Sequence, residues 1–364
     1  MTAEIFVFAG GLGLLAIGAE ALVRGASRLA LSFGISPLVV GLTVVAFGTS
    51  APVIAVAVDA SLEGNPSLAI GNVIGSNIAN ILLILGLSAM IAPLLVAEQI
   101  VRQEVPVMIA ASALLVGIAL DGDISRLEAG MLLLLSVAYT GFLAIQARKA
   151  SARMRAEMEA DLPKDAGWDR HWSIQLLLVG GGLAMLVLGA DWLVQSAVVF
   201  ARALGVSDLV IGLTVVAIGT SMPEIATSLM AALRGQRDIA VGNVVGSNLF
   251  NILACLGAAG VVSPVGLLVP EAARSFDLWV MLAVAFVCLP VFLTAGEIRR
   301  WEGALLLGYY AAYTAYLILS AQHHEMLPMF SGVMLLFVLP LTGLTLTASF
   351  VRHTVRKKTA ANRD

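Results

Sequence analysis

Two short stretches share most of their residues and lie far apart in the chain: "GTSAPVIAV" begins at Gly48 and "GTSMPEIAT" at Gly219. Where the first has Val53, the second has Glu224. Thr49 and Val53 are four residues apart and share a helix face, as do Thr220 and Glu224. Further along, Asn72, Ser76 and Asn80 form a stripe at i, i+4, i+8, repeated by Asn243, Ser247 and Asn251. Pro52 and Pro223 have no N–H to give the carbonyl four residues back, so the oxygens of Gly48 and Gly219 become available acceptors. Hydroxyls, amides, freed carbonyls and one carboxylate are the donor set of a hard-cation site. Small and polar residues also serve simply to pack and bridge membrane helices. A carboxylate in mid-span is costly, and it argues for function.

The elements that must hold these residues are membrane helices. Apolar residues make up 59% of the chain and charged residues 12%, with a mean hydropathy of +0.96. A soluble domain is nearer about 45–50% apolar and about 25% charged. Runs of roughly 20 apolar residues, the length that crosses a bilayer as a helix, recur near 5–31, 36–62, 67–92, 105–120, 126–147, 173–203, 207–233, 239–261, 275–294, 301–320 and 327–351. Eleven spans are expected. Backbone groups in lipid must be satisfied within the segment, and the strand-length alternation of a membrane barrel is absent, so the expected fold is an all-α polytopic bundle.

The chain repeats itself. A shift of 171 residues lays "GLTVVAFGTS" (41–50) on "GLTVVAIGTS" (212–221) and "GNVIGSNIANIL" (71–82) on "GNVVGSNLFNIL" (242–253). It also lays Gly18, Ala19, Leu22 and Val23 on Gly189, Ala190, Leu193 and Val194, with no gap from 18 to 86. "AYT" at 138–140 meets "AYT" at 312–314 after a three-residue slip. The expected organisation is a first repeat of five helices over 1–147, a charged flexible or surface linker over 148–172, a second repeat over 173–320, and an extra helix with a basic tail over 321–364. Five is odd, so the second copy enters the membrane from the opposite side. Such inverted repeats build alternating access around a midplane site. The glycines at 71, 75, 242 and 246 are expected to let their helices approach closely.

Loop charge sets the orientation. Arg148, Lys149, Arg153, Arg155, Lys164 and Arg170 lie in the linker, Arg352, Arg356, Lys357, Lys358 and Arg363 in the tail, and Arg234, Arg237, Arg299 and Arg300 in short loops on the same side. These place the C-terminus in the cytoplasm and the N-terminus outside, in an inner membrane. The net charge of −3 says little about partners. The basic tail reads as topology plus contact with anionic lipid rather than nucleic-acid binding. Cys255 and Cys288 lie in spans and read as small apolar residues, not as a disulfide. The first apolar run has no basic leader and is too long for a cleavable signal. No covalently bound cofactor is expected.

With "GTSMPE" followed by "GNVVGSNLFN" and a diverged partner copy, the sequence resembles the cation/calcium antiporter superfamily, whose best-known members are sodium/calcium exchangers. The resemblance covers nearly all of the first 320 residues. It implies exchange of Ca2+ against Na+, or in some branches with H+ or K+. It implies two inverted five-helix halves and a central set of sites on the second and third helices of each. By motif position, one half supplies Thr49, Ser50, Ser76 and Asn80 with the carbonyl of Ala46. The other supplies Thr220, Ser221, Glu224, Ser247 and Asn251 with the carbonyl of Ala217. Val53 stands where the family has a second acid, and Asn251 where some members have Asp. No local substitute is found: Asp59 faces away from Val53 around the helix, and Glu63 lies at the span's end. One carboxylate beside a divalent ion leaves a net positive charge at low dielectric, whereas Na+ or H+ on Glu224 would be neutral.

Glu20 and Asp191 correspond under the shift. They read as structural charges, Glu20 with Arg24 at i, i+4 and Asp191 with only Gln195 in the equivalent place. The first span of each half could slide during alternation, with Gly11, Gly13, Gly18 and Gly25 softening the first. His323 and His324 lack the further ligands of a metal site and read as solvated. "GGGL" at 180–183 lacks the Lys and strand context of a phosphate loop. The expected function is secondary antiport of inorganic cations. A monovalent cation/proton antiporter, a channel and a transport-dead scaffold are the alternatives. An enzyme is not expected, because the spans hold no nucleophile–base pair or metal triad.

Overall fold

The computed structural model describes residues 2–161, 171–204, 217–293 and 296–343, nearly all of them helical. We number the helical segments α1 Thr2–Phe33, α2 Pro37–Leu62, α3 Pro66–Ile91, α4 Ile100–Ile118, α5 Arg126–Asp161, α6 Trp172–Ala203, α7 Met222–Leu233, α8 Arg237–Val262, α9 Ala273–Leu293, α10 Arg300–Ala321 and α11 Leu327–Gly343. Among the described residues, nine of these are long and apolar enough to cross a membrane. The other two are α7 and α11. Of the expected span 207–233, residues 207–216 lie outside the described residues, as do 344–351 of the expected eleventh span.

The punctuation follows the sequence. Pro37 opens α2 behind Ser36, whose hydroxyl accepts from the Val39 N–H at 3.2 Å; proline's fixed φ suits a first helical turn, where its missing N–H costs nothing. Gly64 (φ +81°) and Gly235 (φ +72°) follow the last residues of α2 and α7 in the left-handed region. That geometry folds the next N–H back onto the helix: Asn65 N–H reaches Ala60 O, and Gln236 N–H reaches Ala231 O, both at 2.8 Å. Glu63 and Arg234 thus sit at equivalent helix ends.

Residues 148–161 of the expected flexible or surface linker extend α5 as one continuous 36-residue helix. The stretch is rich in Ala, Arg, Met and Glu, all good helix formers, and charge alone does not break a helix. Residues 162–170 lie outside the described residues.

α1 and α6 cross antiparallel through glycine. A Cβ on Gly11 would lie 2.9 Å from Gly189 O, and one on Gly182 would lie 2.7 Å from Gly18 O. The 171 shift turns the first contact into the second. Close approach also holds at Gly242 and Gly246, where a Cβ would meet Leu38 O at 3.0 Å and Leu42 O at 2.7 Å. The equivalent partners of Gly71 and Gly75 fall at 209 and 213, outside the described residues.

Two small ribbons tie the halves in the same mirrored way. β1 (Leu94–Leu95) pairs antiparallel with β4 (Glu297–Ile298), and β2 (Asp123–Ile124) with β3 (Leu267–Leu268). Val96 N–H donates to Gly296 O and Val269 N–H to Gly122 O, both at 2.9 Å. Burial grades the bundle. In the apolar window of each helix, 89% of α8 and 72% of α3 is buried, against 6% of α10. The two asparagine-bearing helices therefore form the centre.

Candidate cation site

Thr49, Ser50, Ser76, Asn80, Ser221, Glu224, Ser247 and Asn251 are all buried where α2, α3, α7 and α8 meet, and Thr220 is half-buried. Their hydrogen bonds come in image pairs. Thr49 Oγ1 donates to Asn243 Oδ1 at 3.1 Å, and Thr220 Oγ1 to Asn72 Oδ1 at 3.1 Å. Asn80 Nδ2 donates to Asn248 Oδ1 at 2.9 Å, and Asn251 Nδ2 to Asn77 Oδ1 at 3.1 Å. Each partner is the other's equivalent under the shift of 171. Thr49 Oγ1 also reaches Ala46 O at 3.3 Å and Ser247 Oγ at 3.5 Å. Ala217 opens a single helical turn, Ala217–Gly219, ahead of α7. The sequence-expected residues of α2, α3, α7 and α8 are thus brought together in one cluster.

Asn77 and Asn248 were not picked out by the stripe argument. The signal was present, because both lie inside the duplicated "GSN" and both are amides in mid-span. Each accepts from the amide nitrogen of a candidate ligand, which turns that ligand's carbonyl oxygen elsewhere. Asn251 Oδ1 then meets only the weak donor Cys255 Sγ, at 3.9 Å, and Asn80 Oδ1 is left with no partner. Outer partners that fix ligand geometry in this way are typical of ion sites.

Four polar atoms of the cluster are buried without a hydrogen-bond partner: Glu224 Oε2, Asn80 Oδ1, Asn72 Nδ2 and Thr227 Oγ1. An unmet buried polar group costs about 1–3 kcal/mol, more when charged. Three of the four are oxygens, and one belongs to a carboxylate. A cation would satisfy the three oxygens.

The two halves differ around the acid. Ser50 Oγ donates to Glu224 Oε1 at 3.4 Å. Its equivalent, Ser221, faces no acid and instead donates to Ser76 Oγ at 3.4 Å. Val53 is fully buried within the apolar core. α2 runs as helix straight through Pro52. In the second half the helix breaks at Thr220 and Ser221, and a new one starts with Pro223 near its first position and Glu224 in its first turn. Asp59 is exposed, as the helix angle predicts, and Glu63 is exposed at the helix end. Among the described residues no group of three or more His, Cys, Asp or Glu side chains could hold a metal ion. Glu224 is the lone carboxylate of the cluster. Cys255 and Cys288 are buried free thiols, and His323 and His324 are exposed.

Two further acids, missed by the motif search, sit away from the cluster as another image pair. Tyr139 donates to Glu104 Oε2 at 2.7 Å and Tyr313 to Asp277 Oδ1 at 2.9 Å. Gln99 and Gln103 also donate to Glu104, at 3.0 and 2.8 Å. These bonds bolt α4 to α5 and α9 to α10. With its charge surrounded by donors, Glu104 reads as a strut. Glu20 pairs with Arg234, whose Nε and Nη2 reach its two carboxylate oxygens at 2.8 and 2.7 Å. The longer reach across to α7 gives a two-pronged fit between flat groups. Asp191 accepts from Gln195 at 2.8 Å, as expected.

Known proteins are similar to this chain in sequence and in fold. The family model described as sodium/calcium exchanger protein matches residues 3–145 and 174–319. Inner membrane protein YrbG of Escherichia coli (strain K12) is 37% identical, with 84% of this chain and 94% of that protein covered. Sodium/calcium exchanger MaX1 of Methanosarcina acetivorans is 33% identical, with 86% and 98% covered. Solved structures of the sodium-calcium exchanger NCX_Mj match with a TM-score of 0.73 at 32% identity, covering 86% of this chain and 98% of that one. With both halves matched and relatives aligned over most of its length, this multi-pass membrane protein belongs to the sodium/calcium exchanger family.

Proposed function

We propose that the protein is a secondary antiporter that exchanges Na+ against Ca2+ by alternating access, through one site centred on Glu224, with its hold on Ca2+ weakened by Val53. The observation that carries this reading is the unpartnered pair of buried oxygens, Glu224 Oε2 and Asn80 Oδ1, in a cluster bound together by mirrored hydrogen bonds. Thr49, Ser50, Ser76, Thr220, Ser221, Ser247 and Asn251, with the carbonyls of Ala46 and Ala217, would complete the shell. Two kinds of cation compete for overlapping oxygens, so one leaves as the other enters. That competition is the coupling.

The charge balance favours a second reading, monovalent cation/proton antiport. Glu224 with Na+, K+ or H+ is neutral, whereas Glu224 with Ca2+ keeps a net positive charge that low dielectric makes costly. Ca2+ also prefers six to eight oxygens with carboxylate participation. We place the site in a cell inner membrane, with the N-terminus outside and the basic tail in the cytoplasm.

The test is 45Ca2+ uptake into proteoliposomes under an outward Na+ gradient, for this chain beside Val53→Glu. Uptake by this chain that rises at least tenfold in Val53→Glu supports the exchanger with a weakened calcium site. Equal uptake by both removes the charge argument. No uptake by either, with Na+-driven proton movement present, selects the monovalent reading. Silence in every assay points to a transport-dead scaffold.

A further inference from the structure

Outside the cation site, the mirrored contacts fail in the packing of the first helix of each half. α1 lies along α7, whereas its equivalent, α6, meets α2 over a much shorter stretch. The bundle is therefore caught leaning to one side. At the end of that lean Glu20 on α1 grips Arg234, the residue that terminates α7. Under the shift of 171, Glu20 becomes Asp191 and Arg234 becomes Glu63. The equivalent pair is thus two carboxylates. Both are exposed, and no ion pair joins either to a cation among the described residues. Arg234 also suits its helix C-terminus, where the dipole favours a cation, while Glu63 at the matching end of α2 does not.

We infer that Glu20 and Arg234 are positioning residues of the transport cycle: a latch that holds the α1–α6 pair against α7 in one access state, with no counterpart in the other. In inverted repeats the two access states exchange the roles of the halves. The opposite state therefore leans α6 on α2 and brings Asp191 towards Glu63. Like charges repel there, where the observed state has a two-pronged attraction. The resting equilibrium is biased towards the observed state, and each cycle must open the Glu20–Arg234 pair. The inference rests on alternating access and not on which cations move.

Paired cysteines and a short bifunctional thiol reagent test it in proteoliposomes, with the cross-linked peptides read by mass spectrometry. The variant Glu20→Cys with Arg234→Cys should cross-link rapidly, and the cross-linked protein should lose transport that reduction restores. The variant Asp191→Cys with Glu63→Cys should cross-link slowly. Adding Arg234→Gln should speed that slow reaction at least threefold. Replacing Arg234→Gln by the exchanged pair Glu20→Arg with Arg234→Glu should slow it again. An unchanged 191–63 rate on loss of Arg234 overturns the inference, as does full transport by the 20–234 cross-linked protein. The cross-linking rates need no transported ion, so they decide the latch even if the ion assignment fails. Finally, Glu63→Arg supplies the missing partner for Asp191. It should lower the apparent cation affinity measured from one face of the membrane and raise it from the other, a change that a purely structural role would not produce.

Discussion

Two copies of one motif occupy the same place in their halves and do different things. Around Pro52 the helix is unbroken and Val53 joins the apolar core. Around Pro223 the helix restarts behind Ser221, and Glu224 brings a buried carboxyl group. The hydroxyls and amides are duplicated down to their hydrogen-bond partners, Thr49 to Asn243 as Thr220 to Asn72. The charge is not. A duplicated scaffold can thus stay symmetric in packing while its electrostatics become one-sided, because a valine fills the space of a carboxylate's stem without upsetting its neighbours. The same holds at Glu20–Arg234 against Asp191–Glu63.

The largest effect should come from erasing that one charge. Glu224→Gln keeps the shape and removes the counter-charge; losing one member of a buried ion pair costs about 3–5 kcal/mol, so cation affinity measured by calorimetry should fall roughly 100-fold or more. Moving the charge sharpens the comparison. Glu224→Val should be inactive, and Val53→Glu added to it should regain measurable flux, because the surrounding donors are mirrored. If the double variant stays dead, the helix break at Ser221, and not the acid alone, makes the site.

The orienting amides come next. Asn248→Ala and Asn77→Ala should each weaken cation binding about tenfold, as loss of an outer partner does, with the fold retained. Unequal losses would show that one half dominates the site.

The glycine crossing should affect stability and not affinity. Gly18→Val forces a side chain into the Gly182 backbone and should cost about 1–3 kcal/mol, the range for overpacking, seen as a lower Tm in detergent. Gly180→Val, on the exposed face of α6 with open space around it, should leave Tm unchanged. Least affected should be the serines. Ser50→Ala removes a hydrogen bond to the carboxylate worth about 1–2 kcal/mol at most, and Ser221→Ala removes only a long contact to Ser76, so the first should weaken binding more than the second.

Much of this was legible in the chain. Apolar runs of bilayer length leave helices as the remaining option, because lipid offers no partner to an open backbone. The duplicated motifs named the helices that form the centre, since lipid-facing positions have no need of Asn, Thr or Ser. The continuation of α5 to Asp161 follows from helix propensity and is hidden by the charge of the stretch. Asn77 and Asn248 were missed because a stripe at i, i+4 shows which residues share a face, but not which residue of the partner helix orients them. Glu104 and Asp277 carry no motif, and their tyrosines lie one helix away.

The amino-acid sequence by itself determined the membrane class, the repeat, the identity of the polar cluster and the single acid within it. These follow from composition, length and the shift of 171, all of them properties of the chain as a line. Only the tertiary structure decided which oxygens are left without partners, that Asn248 and Asn77 accept from the amides of Asn80 and Asn251, and that Glu20 reaches Arg234. Those outcomes depend on distances between residues more than 160 positions apart. They are set by how closely the glycine-lined helices approach and by which way the bundle leans.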